Sequence, residues 1–557
     1  MYDLVIRNAW VYDGAGNPPV KGDVAVRDGK IASIRHLGKE AALRSIDAGG
    51  LALSPGFVDL HNHLDMAVLG LPFMDSHTTQ GVTTSLTGNC GLSMAPLADA
   101  TRDLARRYLS PFIPSAAESD WKWNSFGDFT RRIEDVGIGH NLAGLVGQGS
   151  VRVAVKGFDP SPASESEMEA MKNLLRESLE EGAFGLSSGL IYPPGSFTED
   201  RELEELASVL TEYGALYSTH MRNEGGVLIE SVEAALELGR KCRVPVEISH
   251  HKATGRRNWG KLHRTLHMME LAREEGIDVC CDIYPYTAGS TTISALLPPF
   301  ALEGGLEGAL KRLTEPEARQ QMKQELQNSR GDWENTLGNV GFENILICSS
   351  PEKTASQGKT LKELIDEHPQ KDSPYEAFFD ILLDMRCDAT MAIFSMDEEE
   401  MEYGVTHPLS SIVSDAWATS PALGGRPHPR AYGTFPRFLR RFALDARRLS
   451  LENAIRKITS LPASRIGLSD RGLVKKGCWA DLVLFDPKAL RDRATYADPH
   501  QYPEGIEMVL VNGCIAVERG SVRESKAGRV LRRGQEECKL VKNTTLIDKT
   551  PLHGARP

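Results

Sequence analysis

This chain lacks any stretch able to cross a membrane: no apolar run approaches the roughly 20 residues that a spanning helix needs. It starts Met1-Tyr-Asp-Leu-Val-Ile-Arg7, without a basic n-region or an apolar h-region, which argues against a secretory signal. It has no excess of positive charge. The net charge of −12 leaves no basic face for phosphates, so nucleic acid is not an expected partner. It also lacks a disulfide framework. Its nine cysteines are odd in number, follow no repeated spacing and form no CxxC. That usage fits a reducing compartment, and a cytoplasmic location is expected. What is present, 41% hydrophobic and 25% charged residues, is the composition of a globular protein. A small-molecule substrate is therefore the expected partner, and nothing in the composition bears on oligomeric state.

At 557 residues the chain exceeds one small domain. Length alone suggests about three or four domains, yet one α/β barrel absorbs roughly 250 to 400 residues. Strands and turns alternate at the start. Residues 2–6 and 10–12 read as strands, and 23–27 with 30–34 as a hairpin. Asp28-Gly29 between the last two supplies the positive φ of a tight turn. The tail echoes this pattern with strands at 482–485, 508–511 and 528–532. Neither end can close a core alone, so both are expected to join in one small β-sandwich domain.

Between the two ends, strand and helix alternate. Strands are expected at 57–63, 83–88, 142–146, 183–187, 216–220, 244–250, 279–284 and 411–415. Amphipathic helices such as 166–181 and 203–213 lie between them. Repeated alternation means a parallel sheet, and eight strands suggest an α/β fold of the (β/α)8 barrel type. The expected division is 1–54 and 466–535 for the β domain, 55–465 for the barrel and 536–557 for a polar tail. The step from about 288 to 406 is too long for one βα unit. It reads as an insertion that forms a lid or binding loops on the top face.

The strand ends collect metal-binding residue types. The first expected strand runs from Phe57 into His61-Asn-His63, and side chains alternate along a strand, so both imidazoles point the same way. The second ends at Thr87-Gly-Asn-Cys90-Gly, the fifth at His220, the sixth at His250-His251 and the eighth at Asp415. In a barrel these converge. Cys90, His220 and His250 make the three-ligand set of a catalytic zinc with an open position. His61 and His63 complete a second site beside it, with the Cys90 thiolate bridging. His251 points away from His250 and reads as structural. Zinc lowers the pKa of water toward about 7, and Asp415 is the carboxylate expected to take the proton.

At this point the sequence resembles the amidohydrolase superfamily, and within it the N-acyl-D-amino-acid deacylases. The likeness rests on Thr87-Gly-Asn-Cys90-Gly, Thr219-His-Met-Arg-Asn-Glu-Gly225, Ile248-Ser-His-His-Lys252, Asp282-Ile-Tyr-Pro-Tyr286 and Arg426-Pro-His-Pro-Arg430. It implies hydrolysis of the amide bond of N-acyl-D-amino acids, with a barrel set between two parts of a β-sandwich. It also implies a tight Zn²⁺ at Cys90, His220 and His250, an optional second divalent metal at His61 and His63, and Asp415 as acid and base. Lys252, Tyr284, Ser290 and Arg430 match positions around the substrate. Arg430 is the expected fork for the amino acid's carboxylate. The D configuration rests on the resemblance alone.

Two segments depart from the family pattern: the insertion after the seventh strand, and Ala416-Trp-Ala-Thr-Ser-Pro-Ala-Leu-Gly-Gly425, where a shorter loop is expected. Both shape the substrate pocket. Two other readings compete. Cyclic-amide hydrolases of the hydantoinase or dihydroorotase kind bridge two metals with a lysine on the fourth strand. Here that stretch, Ala183-Phe-Gly-Leu-Ser-Ser-Gly189, holds none. A scaffold that kept the barrel and lost activity is the third reading, and the complete ligand set counts against it.

Overall fold

A computed structural model describes residues 1–38, 40–113, 120–328, 333–368 and 373–534. The polar tail expected at 536–557 lies outside the described residues. Among those described, no helix is long and apolar enough to cross a membrane.

The two chain ends meet in one nine-stranded sheet. The join is antiparallel, Ala52–Pro55 against Leu482–Phe485, with Leu53 opposite Leu484. Leu4, Ile6, Val24, Leu53, Leu482 and Leu510 share one buried core on this sheet. The Asp-Gly hairpin forms as its sequence predicts. Asp28 at φ 53° and Gly29 at φ 74° link Val20–Arg27 to Lys30–Arg35. Two expectations are corrected. Residues 2–6 and 10–12 belong to one strand, Tyr2–Val11, whose register shifts between Ile6 and Ala9. Asn8 sits there at φ 57° and donates its N–H to Asp23 Oδ1, so the chain bulges without ending the strand. The segment around Val530 leaves the small sheet and bridges to Leu142 of the barrel.

The barrel strands are Phe57–Asp59, Val82–Thr87, Asn141–Gly144 with Val146–Gly147, Gly185–Gly189, Leu216–His220, Val246–Ile248, Val279–Ile283 and Ser410–Ile412. Each is parallel to the next. The ring closes where Asp415 N–H donates to the His61 carbonyl at 2.8 Å. Helices pack outside. Glu165–Glu180 begins at a capping box between Ser164 and Glu167, and Asp200–Tyr213 stops at Gly214 in the left-handed region. Leu175, Leu206, Val232 and Leu266 from successive helices bury against Leu186, Val246 and Val279 of the strands. Each such side chain contributes about 1.5–3 kcal/mol when taken from water.

The insertion is a folded unit with its own core. Ala288–Thr292, Ile345–Ser349 and Thr390–Phe394 form a three-stranded antiparallel sheet. Leu296, Ile347, Phe378, Phe379 and Met391 pack within it. From this sheet and the residue after it, Gly289, Ser290, Ile393 and Ser395 line the cavity at the barrel mouth.

Candidate metal centre

The expected ligands converge. The ligand atoms of Cys90, His220 and His250 lie within 4.8 Å of one another, and so do those of His61, His63, Cys90 and Asp415. All are buried. Cys90 belongs to both groups, with Sγ 3.2 Å from His61 Nε2 and 3.5 Å from His250 Nε2. The donor set suits a divalent cation. Neither ring nitrogen of His220 has a hydrogen-bond partner, nor has His63 Nδ1. Buried polar atoms are rarely left so, because each orphan costs about 1–3 kcal/mol.

The route to this convergence differs from strand alternation. The first strand ends at Asp59, so His61 and His63 lie in the turn beyond it, their rings edge to face at 5.7 Å. Asn62 folds that turn by donating its amide to the Asp59 carbonyl. Of the candidate ligands only His220 is the last residue of its strand. Cys90, His250 and Asp415 all have left-handed backbones, at φ 54°, 34° and 48°. Such conformations cost a non-glycine residue of order 1–3 kcal/mol each. Fixed hydrogen bonds hold two of them in place. His250 N–H donates to Asp282 Oδ1 at 2.6 Å, and Asp415 N–H donates to the His61 carbonyl.

Two carboxylates that the sequence reading left unassigned orient the histidines. His250 Nδ1 lies 3.0 Å from Glu224 Oε1, which turns Nε2 toward Cys90. His61 Nδ1 lies 3.4 Å from Asp282 Oδ2, which frees Nε2 in the same way. Their signals were present: Glu224 lies within the motif at 219–225, and Asp282 opens the motif at 282–286 near the end of the seventh strand. Glu224 also pairs with Lys252 Nζ at 2.6 Å. His251 turns away to Thr265 Oγ1, as expected of a structural residue.

Electrostatics separate the roles. Burial pushes the Cys90 thiol up, but the imidazoles of His61 and His250 overcome this and hold it well below the usual thiol range. Burial likewise opposes ionisation of Asp415. The Arg430 guanidinium and the imidazoles of His250, His61 and His63 together outweigh it and hold that carboxyl well below the usual carboxylate range. Arg430 Nη1 donates to Asp415 Oδ2 at 2.7 Å and Nη2 to the Ser290 carbonyl at 3.1 Å. The fork expected to hold a substrate carboxylate is thus turned onto Asp415. The other Asp415 oxygen, Oδ1, faces His61 Nε2 at 3.4 Å and His63 Nε2 at 3.6 Å.

Tyr284 Oη and Ser290 Oγ are buried without partners. Burial pushes the Tyr284 phenol up to about 12, so it stays a donor at neutral pH. Both residues line a cavity with about 650 Å³ of empty space, solvent at its mouth included, together with Lys252, Trp417, His63, Cys90, His220, His250 and Asp415. Trp417 comes from the loop that departs from the family pattern, and its ring lies 6.4 Å from that of His63.

The family model described as "Amidohydrolase family" matches residues 44–320 and 413–517. The chain is 34% identical over 531 residues to N-acyl-D-glutamate deacylase of Alcaligenes xylosoxydans xylosoxydans, covering 95% of this chain and 96% of that one. It is 32% identical over 532 residues to D-aminoacylase of the same organism, covering 96% and 98%. Among solved structures, N-acyl-D-glutamate deacylase of Bordetella bronchiseptica, complexed with zinc and a phosphonate mimic of the tetrahedral intermediate, superimposes with a TM-score of 0.79. That match has 32% identity and covers 95% of this chain and 99% of that one. This chain is a hydrolytic enzyme that belongs to the amidohydrolase family, among its N-acyl-D-amino-acid deacylases.

Proposed function

We propose that the enzyme cleaves the amide bond of N-acyl-D-amino acids, giving a carboxylic acid and a D-amino acid, with zinc as its metal. The observation that carries this reading is the pairing of two features in one cavity. A buried Cys/His donor set with orphaned nitrogens stands beside two orphaned hydroxyl donors, Tyr284 Oη and Ser290 Oγ. Cys90, His220 and His250 would hold the tight metal, and His61, His63 and Cys90 a weaker second one. When bound, the metal supplies Lewis-acid polarisation of the acyl carbonyl and makes water more acidic.

The chain's own residues do the rest. Asp415 is ionised and accepts the proton of the attacking water at Oδ1, then returns it to the departing nitrogen. Arg430 positions Asp415 by occupying Oδ2. Tyr284, Ser290 and the Lys252 ammonium receive the substrate's carboxylate, a charge-assisted set of donors. Trp417 and Phe112, with ring centroids 6.0 Å apart, pack beside the His63 ring.

The test is amino-acid release from N-acetyl-D- and N-acetyl-L-amino acids, with metal content read on the same preparation. Zinc present with turnover of D substrates alone is the expected result. A zinc-loaded enzyme that turns over no N-acyl amino acid would remove the substrate and keep the metal site.

A further expectation concerns the fourth strand. A Cβ on Gly189 would lie 1.9 Å from the Cys90 carbonyl oxygen, a backbone atom that cannot move aside alone. Gly189→Ala should therefore push the Cys90 loop outward and weaken metal binding by about 10- to 100-fold, the scale seen when ligand support is disturbed. Chelator competition measures it. Affinity equal to that of the parent would show that the Cys90 carbonyl tolerates the shift.

A further inference from the structure

A second cavity adjoins the site. It holds about 690 Å³ of empty space, solvent at its mouth included, between the helices Arg102–Leu109 and Gly305–Arg312. Leu92, Phe112, Tyr192 and Ala295 line both cavities, so the two share one wall. Beyond that neck the lining turns apolar, with Leu104, Phe158, Leu302 and Leu306. Its charged members are Arg107 and Glu307, which pair with each other at 3.4 Å while both stay exposed. They mark the outer rim and leave no unpaired charge within.

The neck sits on the ligand side of the site. The Tyr192 ring meets His220 edge-on at 5.2 Å, and its hydroxyl is tied to Thr291 Oγ1 at 2.8 Å. Phe112 stacks on His63 at 6.3 Å, and Leu92 is two residues beyond Cys90. The donors assigned to the carboxylate, Tyr284, Ser290 and Lys252, line the first cavity and not the second. An acyl carbonyl placed at the ligands, with its amino acid toward Tyr284, sends its alkyl chain toward the neck. An acetyl group would end there and leave the apolar space beyond empty.

We propose that this second cavity is the acyl-chain site, and that the preferred substrates are N-acyl-D-amino acids with unbranched apolar acyl groups of several carbons. The proposal rests on the deacylase reading above. Each methylene that leaves water for the channel strengthens binding by about 0.8 kcal/mol, or roughly fourfold. Over the channel's length kcat/KM should rise about fourfold per methylene and at least a hundredfold from acetyl to octanoyl.

The experiment holds fixed the D-amino acid that is turned over best and lengthens the acyl group from acetyl through octanoyl. A matched series keeps acetyl and lengthens the D-amino acid's side chain. Leu306→Trp fills the outer part of the channel and should lower the octanoyl-to-acetyl ratio of kcat/KM at least tenfold. Being read on one preparation, that ratio does not depend on the fraction folded. A rise in the acyl series that Leu306→Trp flattens supports the proposal. Acetyl turnover with no gain on lengthening overturns it and leaves the deacylase reading intact. A gain confined to the side-chain series also overturns it, by giving the channel to the amino acid. Turnover of no N-acyl-D-amino acid at any length removes the deacylase reading, and this proposal with it.

Discussion

Asp415→Asn should leave the protein folded and metal-loaded yet cut kcat/KM by at least about 10⁴-fold. General acid–base help from one positioned group is worth about 10²–10⁴-fold, and here one carboxylate serves two proton transfers. The side chains are nearly isosteric. The asparagine oxygen can still accept from Arg430 Nη1, now 2.7 Å from Asp415 Oδ2. What is lost is the negative charge and the ability to take a proton. Arg430 is 1% exposed, so its guanidinium keeps a hydrogen bond but loses its counter-charge. Breaking a buried pair by deleting one partner costs about 3–5 kcal/mol, and retaining the hydrogen bond should hold the loss below that. A modest fall in melting temperature is therefore expected beside the large kinetic effect. The set Cys90, His220 and His250 does not contain Asp415, so the tight metal should be retained. Elemental analysis and steady-state kinetics on one preparation check both halves. A variant that keeps more than a tenth of the parent's kcat/KM would end the acid–base assignment.

Local chemistry was legible wherever it dictates local structure. Asp28-Gly29 specified its turn because both residues accept positive φ. The strand–helix alternation specified the barrel, and the residues at the strand ends specified the ligand groups. What sequence concealed depends on partners far along the chain. Ala288–Thr292 reads Ala-Gly-Ser-Thr-Thr, with little of the apolar alternation of a strand. It becomes one by pairing with Thr390–Phe394, about a hundred residues away. The left-handed backbones of Cys90, His250 and Asp415 were hidden for a similar reason. Acceptors from elsewhere in the chain, Asp282 and the His61 carbonyl, hold two of them there. Arg430 shows the limit most clearly. Its residue type suits a substrate carboxylate and a protein carboxylate equally, and only the fold places Asp415 against it.

Cys90→Ala should remove most of the bound metal and all measurable turnover. The thiolate is the one ligand common to both donor groups, and it is held ionised by the imidazoles around it. A small buried hydrophobe at this position would lose little on truncation, since the site could collapse around a missing sulfur. A ligand would lose far more. Binding free energies of about 10–16 kcal/mol for four-ligand zinc sites put roughly 3 kcal/mol or more on each ligand, or 10²–10³-fold in affinity. The local charge balance changes as well: without the thiolate, the neutral imidazoles that remain offset none of the cation's charge. Cys90→Ser separates the two causes, because it restores volume and polarity but supplies a poor ligand oxygen. Metal content after dialysis, chelator competition and circular dichroism form the test. Metal loss in both variants with an unchanged fold assigns the role to the sulfur itself. Full metal retention in Cys90→Ala would leave His61, His63, His220 and His250 to hold the ion without a bridging thiolate, and the shared-ligand account of this centre would fail.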